Sequence, residues 1–156
     1  MILQIAAELL KQVVDACEAA YPAEACGLIV GRGKGQLVRA TRVVAAANLL
    51  AAEPGRFELD PATRMRVEKE LRDGGSRDRV LGHYHSHPDG AAEPSAVDRA
   101  AAFEPDLAWL IVAVADGQAI HAQAHRMDEK RGAFRPVPLR VTAPKKSACI
   151  PPPHSA

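Results

Sequence analysis

The chain has 156 residues, a length that suits one domain able to bury a core without a disulfide or a structural metal. Lysine and arginine number 20 against 19 aspartate and glutamate residues, so the net charge of +1 excludes the strong positive field that nucleic-acid or anionic-membrane binding requires. The composition, with 47% hydrophobic and 25% charged residues, excludes wholesale disorder.

The cysteines and the first residues of the chain indicate in which cellular compartment the protein is expected. Cys17, Cys26 and Cys149 form no C-x-x-C pair, which favours neither a disulfide framework nor a cysteine zinc site. Cys17 and Cys26 fall where small buried apolar residues are expected. The opening residues lack the basic start of a signal peptide, and no apolar run reaches the roughly 18 residues of a membrane span. We therefore expect a soluble, cytoplasmic protein.

The first part of the chain is predicted to contain a helix and two strands. Apolar residues at helical spacing predict an amphipathic helix over 3–20. Tyr21-Pro22 ends it, because the residue before proline avoids the helical conformation. The elements predicted next are a buried strand at 26–31, a longer strand at 36–48, and a loop at 49–60 with a short extended piece at 57–59.

The second part opens on a helix-start signal. Asp60 followed by Pro61 is typical of an N-cap and a first helical residue, which predicts a helix over 62–73. Its predicted apolar members are Met65, Val67 and Leu71. The elements predicted after it are a strand at 79–87, a loop at 88–94, a helix at 95–103, a strand at 107–115, a hairpin turn at Asp116-Gly117, a return strand at 118–127 and an extended segment at 133–141. We expect one domain over 1–141 and a disordered, proline-rich tail over 142–156.

The stretch GHYHSHPDGAAEPSAVD, residues 82–98, carries the clearest chemical pattern. His85 and His87 are two residues apart in a predicted strand, so their side chains leave the same face. Asp98 follows in the first turn of the next predicted helix, and a loop that folds back brings it to the strand end. Two histidines and a carboxylate, with a fourth position open to water, form a catalytic zinc pattern. The sequence therefore predicts one zinc ion per chain.

A hydrolytic zinc site also needs groups that move protons and stabilise negative charge. Glu24, just before the strand at 26–31, is the best candidate for the general base or acid. Ser95 can donate its hydroxyl to the oxyanion of a tetrahedral intermediate. Each residue also has a purely structural explanation: half-exposed strand histidines, an S-x-x-D helix capping box, and an exposed turn glutamate. Their joint occurrence at compatible spacing favours the catalytic interpretation.

The segments EACGLIVG at 24–31 and HSHPDGAAEPSAVD at 85–98 resemble the JAMM motif of the MPN-plus, or JAB, domain metallopeptidases. That motif is an upstream glutamate, then H-x-H-P, six residues and S-x-x-D, and every position is filled here. The similarity extends from about Tyr21 to Val141 and is strongest to the short bacterial type. It implies that His85, His87 and Asp98 bind zinc, that Glu24 handles the proton and that Ser95 stabilises the intermediate.

The same resemblance implies a fold and a substrate class. The fold is α/β (α+β), a mixed sheet flanked by helices and related to the cytidine deaminase fold. The implied reaction is hydrolysis of a peptide or isopeptide bond after the C-terminal glycine of a ubiquitin-like protein, and short bacterial members act on sulfur-carrier proteins.

The remaining histidines have more than one interpretation. His83 stands where resembling proteins often have a bulky aromatic residue, and it shares the strand parity of His85 and His87. We predict that it packs against or orients the ligands, with a third metal ligand as the alternative. His121 and His125 share one face of the return strand and are predicted to face solvent, with a second metal site as the alternative. His154 has no partner.

The leading hypothesis is a zinc peptidase acting on the extended tail of a ubiquitin-like or sulfur-carrier protein, with no nucleic-acid or membrane partner. The alternatives are a non-catalytic MPN module that binds a ubiquitin-like partner and a general zinc peptidase. A nucleobase deaminase is excluded because its H-x-E and P-C-x-x-C pattern is absent. Substrate choice is expected to depend on the loops at 49–59 and 89–94. The charged residues of the helix at 62–73 are predicted to form a solvated face.

Overall fold

The structure is a computed structural model and describes residues 1–143. It contains three helices and eight strands in the described part of the chain. They are β1 (Ile2–Ala6), α1 (Ala7–Ala20), β2 (Cys26–Lys34), β3 (Leu37–Ala46), α2 (Pro61–Asp73), β4 (Arg79–Pro88), α3 (Ala96–Ala101), β5 (Ala108–Ala115), β6 (Gln118–Asp128), β7 (Ala133–Val137) and β8 (Leu139–Thr142).

All strands join one mixed sheet in the order β7-β6-β5-β4-β2-β3-β1-β8. The β4–β5, β1–β3 and β1–β8 pairs are parallel and the others are antiparallel. The edge strands β7 and β8 are separated along the chain only by Pro138, so the sheet must curl until its two edges meet at this residue. This mixed sheet flanked by helices confirms the predicted fold class.

The sheet buries both of its faces. On one face, α1 places Val13 and Cys17 in the main core, together with Leu3 and Ile5 of β1. On the other face, Val67 of α2 packs in a smaller cluster. None of the helices within residues 1–143 is long and apolar enough to cross a membrane.

Strand pairing explains two details that the sequence did not predict: the start of the first predicted helix is wrong, and the predicted extended segment at 133–141 is extended but divided. Residues 3–6 are strand rather than helix, since β1 finds hydrogen-bond partners in β3 and β8. Leu3 and Ile5 alternate into the core, and Ile5 continues by chance the helical spacing of α1. The extended segment at 133–141 is two strands at opposite sheet edges, because Pro138 interrupts the ladder.

Two helices differ in detail from prediction. The predicted helix at 95–103 is shorter, Ala96–Ala101, and Phe103 beyond it is 85% exposed. Met65 was predicted on the apolar face of α2 but is 70% exposed, so Val67 carries the buried contact. The start of α2 is as predicted, with the Asp60 carboxylate accepting from the Ala62 N–H at 3.0 Å.

The hairpin turn and the buried cysteines are confirmed. Asp116 and Gly117 adopt positive φ angles of 50° and 77° between β5 and β6, the conformation of a two-residue type I′ turn. Cys17 and Cys26 are buried. Cys149, His154 and the predicted disordered tail lie outside the described residues, except that Thr142 belongs to β8.

Candidate metal centre

Strand β4 presents three histidines on the face of the sheet that α2 and α3 cover. It lies in the middle of the sheet, between β2 and β5. His85 is fully buried and His87 half-buried. Directly after the strand, Asp89 takes a left-handed backbone conformation with φ 53°, which aspartate tolerates better than most residues. The chain therefore turns back over the histidines immediately after they leave the sheet.

The returning chain delivers Asp98 through a helix cap. Ser95 is the N-cap of α3: its Oγ accepts from the Asp98 N–H at 3.0 Å, and its own N–H donates to Asp98 Oδ2 at 2.6 Å. The capping interpretation of S-x-x-D is thus correct, and the cap also fixes the carboxylate. Asp98 is 3% exposed.

His85, His87 and Asp98 converge on one point. The two Nε2 atoms are 3.0 Å apart, and each lies 3.3 Å from an oxygen of Asp98. Three ligands of one tetrahedral zinc, each about 2.0–2.1 Å from the ion, lie roughly 3.3 Å from one another. The donor set and its spacing therefore fit a single zinc ion.

The hydrogen bonding of His87 suits a metal ligand. Its Nδ1 lies 2.8 Å from the Ala91 carbonyl oxygen, which can only accept, so Nδ1 carries the proton. In the neutral ring this leaves the lone pair of Nε2 facing Asp98 and His85. The Nδ1 of His85 is buried without a partner among the described residues.

The electrostatics of the cluster follow from burial and from the pairing itself. Burial tends to raise the pKa of Asp98, but the hydrogen bonds from His85, His87 and the Ser95 N–H outweigh it and lower the pKa well below its usual range. Burial lowers the pKa of His85 despite the opposing effect of Asp98. Burial acts the same way on His87, where Asp98 and the Ala91 carbonyl outweigh it and raise the pKa.

Glu24 lies beside this cluster, just before β2. It is 7% exposed, and burial raises the pKa of its carboxyl to about 7, with a smaller lowering effect from His87 and a raising effect from Asp98. A carboxyl with a pKa near neutrality can both take and give a proton under physiological conditions. The sequence had no means of showing this burial, since an isolated glutamate is usually exposed.

Asn48 is a residue of the site that the sequence did not single out. Its Nδ2 donates to the carbonyl oxygens of Glu24 at 3.0 Å and Arg56 at 3.2 Å. Its Oδ1 accepts from the N–H groups of Leu50 at 2.9 Å and Glu58 at 3.0 Å. One side chain therefore ties the backbone of Glu24 to the loop that joins β3 to α2, residues 47–60.

Aromatic side chains surround the histidines. Phe57, from the 47–60 loop, stacks on His85 with ring centroids 4.3 Å apart. His83 contacts Trp109 edge-to-face at 4.2 Å, and its Nδ1 is buried with no hydrogen-bond partner within residues 1–143. Burial, helped by His85, lowers the pKa of His83 to about 3, so the ring is neutral. The structure thus places His83 among aromatic rings, beside His85 but outside the converging set of His85, His87 and Asp98.

His125 was predicted to face solvent, and that prediction is wrong. It is 2% exposed, and its Nε2 lies 2.8 Å from the Ala92 carbonyl oxygen. His121, on the same face of β6, is exposed as predicted. The difference is one of neighbours: His125 pairs with the buried Trp109, and the loop between β4 and α3 covers it. Strand parity gives the face of a side chain but not what lies above it.

A cavity of about 350 Å³ adjoins the cluster. Its lining includes His83, Asp98, Trp109, Phe57 and Val97. Most of the lining is apolar, and Val97 and Phe103 are exposed at its rim. An extended chain reaching Asp98 would thus have apolar surface beside it.

Comparison with known proteins identifies the family. The sequence model described as "Prokaryotic homologs of the JAB domain" matches residues 6–128. The chain belongs to this Prok-JAB family. The match contains Glu24, His85, His87, Ser95 and Asp98.

This Prok-JAB chain is similar in sequence to named peptidases and in fold to a solved structure. A desampylase of Haloferax volcanii is 37% identical over 91 residues, covering 58% of this chain and 62% of the relative. A CysO-cysteine peptidase of Mycobacterium tuberculosis is 28% identical over 140 residues, covering 90% of this chain and 91% of the relative. The solution structure of a Desulfitobacterium hafniense protein has a TM-score of 0.79 at 26% identity, covering 93% of this chain and 96% of that one.

Proposed function

We propose that this protein is a zinc-dependent peptidase or isopeptidase that hydrolyses the bond after the C-terminal glycine of a ubiquitin-like or sulfur-carrier protein. The observation that carries the proposal is the convergence of His85, His87 and Asp98 within ligand distance of one another. The named activities of the desampylase and of the CysO-cysteine peptidase support the choice of substrate class.

The residues divide the chemistry between them. His85, His87 and Asp98 would hold zinc, which when bound supplies a Lewis acid that polarises the scissile carbonyl and acidifies water. Glu24 accepts the proton of the attacking water on its carboxylate and passes it to the leaving amine. The Ser95 hydroxyl, whose oxygen accepts from the Asp98 N–H, keeps its own proton free to donate to the developing oxyanion.

The surroundings of the site suit a tail rather than a compact small molecule. The cavity beside Asp98 is open and largely apolar, and the 47–60 loop and Val97 form its rim. Glycines before the cut allow the backbone to approach the ion closely, because they carry no side chain. A folded carrier would then remain outside, in contact with the rim.

The non-catalytic alternative fits these observations less well. A binding module does not need a buried carboxyl with a pKa near 7 beside two histidines and an aspartate, and groups with such shifted pKa values cluster at catalytic sites. A general zinc peptidase shares the whole site and differs only in its substrate. The experiment therefore has to separate substrates.

The test is to incubate the zinc-loaded protein with carriers encoded beside its gene, one as a linear fusion beyond Gly-Gly and one linked to a lysine. Intact-mass spectrometry records the products, with Glu24→Gln as the blank and a short Gly-Gly peptide as the competing substrate. We expect loss of the mass beyond Gly-Gly from the folded carrier and slow cleavage of the peptide. Intact carriers together with efficient cleavage of unrelated peptides would replace this proposal by a general peptidase. No cleavage of any substrate would favour the binding module.

A further inference from the structure

The segment between β4 and α3, residues 89–95, joins two of the three ligand-bearing positions. It follows His87 and ends at Ser95, three residues before Asp98. It contains no helix or strand, so its path depends on individual hydrogen bonds. The position of the Asp98 carboxylate relative to the imidazoles therefore depends on how rigidly this segment is held.

Two imidazoles hold the middle of the segment through consecutive carbonyl groups. His87 Nδ1 donates to the Ala91 oxygen at 2.8 Å, and His125 Nε2 donates to the Ala92 oxygen at 2.8 Å. The first bond comes from β4, next to the site, and the second from β6, two strands away in the sheet. The segment is thus fixed to the sheet by two strands at adjacent residues.

The bond from His125 is the more buried of the two. Ala92 is 4% exposed and packs with Ile111 and Ala113 of β5, and His125 is 2% exposed. A carbonyl oxygen in such surroundings cannot readily replace a lost donor with water, so the loss is costly. Further bonds lie nearer the ends of the segment, among them Asp89 N–H to the Val114 oxygen at 2.7 Å, the Tyr21 hydroxyl to Asp89 Oδ2 at 2.9 Å, and Arg99 Nη1 to the Pro94 oxygen at 3.0 Å.

We propose that His125 is a positioning residue of the metal centre. By holding the Ala92 carbonyl, it fixes the 89–95 segment so that Ser95 and Asp98 meet His85 and His87. The inference rests on the proposed function only in taking this cluster as a zinc site. His125 is outside the cluster of converging ligands, and it acts through the segment.

The chain offers a matched set of variants. His125→Leu keeps the bulk of the ring and removes the donor, while His125→Gln places an N–H near the original Nε2. His121→Leu is the control, because His121 lies on the same face of β6 but is exposed. His125→Asn is polar but too short to reach the Ala92 oxygen, and it repeats the test should the leucine variant fold poorly.

Zinc affinity, measured by competition with a chelator in the absence of substrate, is the primary readout. We expect His125→Leu and His125→Asn to bind zinc about 10–100-fold more weakly, the usual effect of removing a group that orients metal ligands. His125→Gln should recover most of the affinity, and His121→Leu should bind as the wild type does. Hydrogen exchange of the 89–95 amides should accelerate in the leucine variant and not in the His121 control.

Unchanged zinc affinity in a folded His125→Leu or His125→Asn variant would overturn the proposal. A glutamine variant as weak as the leucine variant would overturn the hydrogen bond as the cause. Neither readout needs a substrate, so failure to cleave any carrier would refute the proposed function and leave this inference standing. Conversely, if the wild type cleaves a carrier but the His125 variants bind zinc as the wild type does, only this inference is refuted.

Discussion

Two groups of ionisable side chains in this protein form close contacts in opposite surroundings. Helix α2 carries ion pairs along its outer face, such as Arg64–Glu68 at 2.8 Å and Arg66–Glu70 at 3.1 Å. The site pairs Asp98 with His85 and His87 at 3.3 Å each. The pairs of α2 are largely exposed, as predicted for a solvated face, whereas Asp98 and His85 are buried.

Because the two groups differ in burial, the loss of a contact is expected to cost little stability in α2 and much more at the site. Water and salt screen an exposed pair, which therefore contributes little and tolerates the loss of either partner. The buried Asp98 carboxylate depends on its partners, because removing one leaves part of its charge with neither water nor a hydrogen bond to stabilise it. A chain that keeps His85, His87 and Asp98 together in its interior is less stable than one with well-packed apolar residues at these positions. The buried set is therefore the one to connect with function, and graded substitutions test this contrast.

The largest effect is expected at the ligands. His85→Ala and Asp98→Ala should reduce zinc from about one ion per chain to nearly none, because the remaining two ligands cannot complete a tetrahedral site. The fold should persist, since the main core lies on the other face of the sheet. Elemental analysis gives the metal content and circular dichroism the fold. A folded His85→Ala protein that keeps full zinc would show that the ligand set is misassigned.

Glu24→Gln should separate chemistry from metal binding. The amide keeps the shape of the carboxyl but cannot accept the proton of water, so turnover should fall by at least about a hundredfold. Zinc content should stay unchanged, because Glu24 is outside the ligand set. Single-turnover kinetics on a cleavable carrier, with metal analysis of the same sample, measure both quantities. Turnover near that of the wild type would assign the base to another residue.

Asn48→Ala should have an intermediate effect, which is on stability. It removes one hydrogen bond to the Glu24 carbonyl and three within the 47–60 loop, and we expect a loss of about 1–3 kcal/mol in the free energy of unfolding. Urea denaturation of the metal-free protein measures it. Arg56→Ala is the control, since it removes only the exposed ion pair with Glu53 on the same loop. Equal stability of the two variants would mean that Asn48 does not organise the loop.

The smallest effect is expected on the exposed face of α2. Lys69→Ala removes a pair with Asp73 whose partners are both exposed, and stability should change by no more than about 0.5 kcal/mol. The change should be smaller still in high salt, because added ions screen the attraction between Lys69 and Asp73. A loss comparable to that of Asn48→Ala would remove the contrast between exposed and buried pairs.

The sequence predicted the parts of the site that follow local rules. Strand parity placed His85 and His87 on one face, and the S-x-x-D spacing of a capping box placed Asp98 in the first helical turn. These rules need only neighbours along the chain. The family resemblance added the expected fold and the pairing of Glu24 with this cluster.

The parts that the sequence did not predict depend on residues far along the chain. β1 is a strand because β8, more than 130 residues later, supplies its partner. His125 is buried because the 89–95 segment covers it, and Asn48 matters because its four partners come from two separate segments. No periodicity or local motif contains this information, since the same side chains on an open surface would bond to water.

The central claim is that His85, His87 and Asp98 form a zinc centre. An anomalous difference map at the zinc absorption edge, from crystals of the zinc-loaded protein, tests it directly. The account predicts one strong peak per chain, bonded to the Nε2 atoms of His85 and His87 and to the Asp98 carboxylate at about 2.0–2.2 Å. An empty position there, or a principal peak at another histidine such as His121, would contradict it.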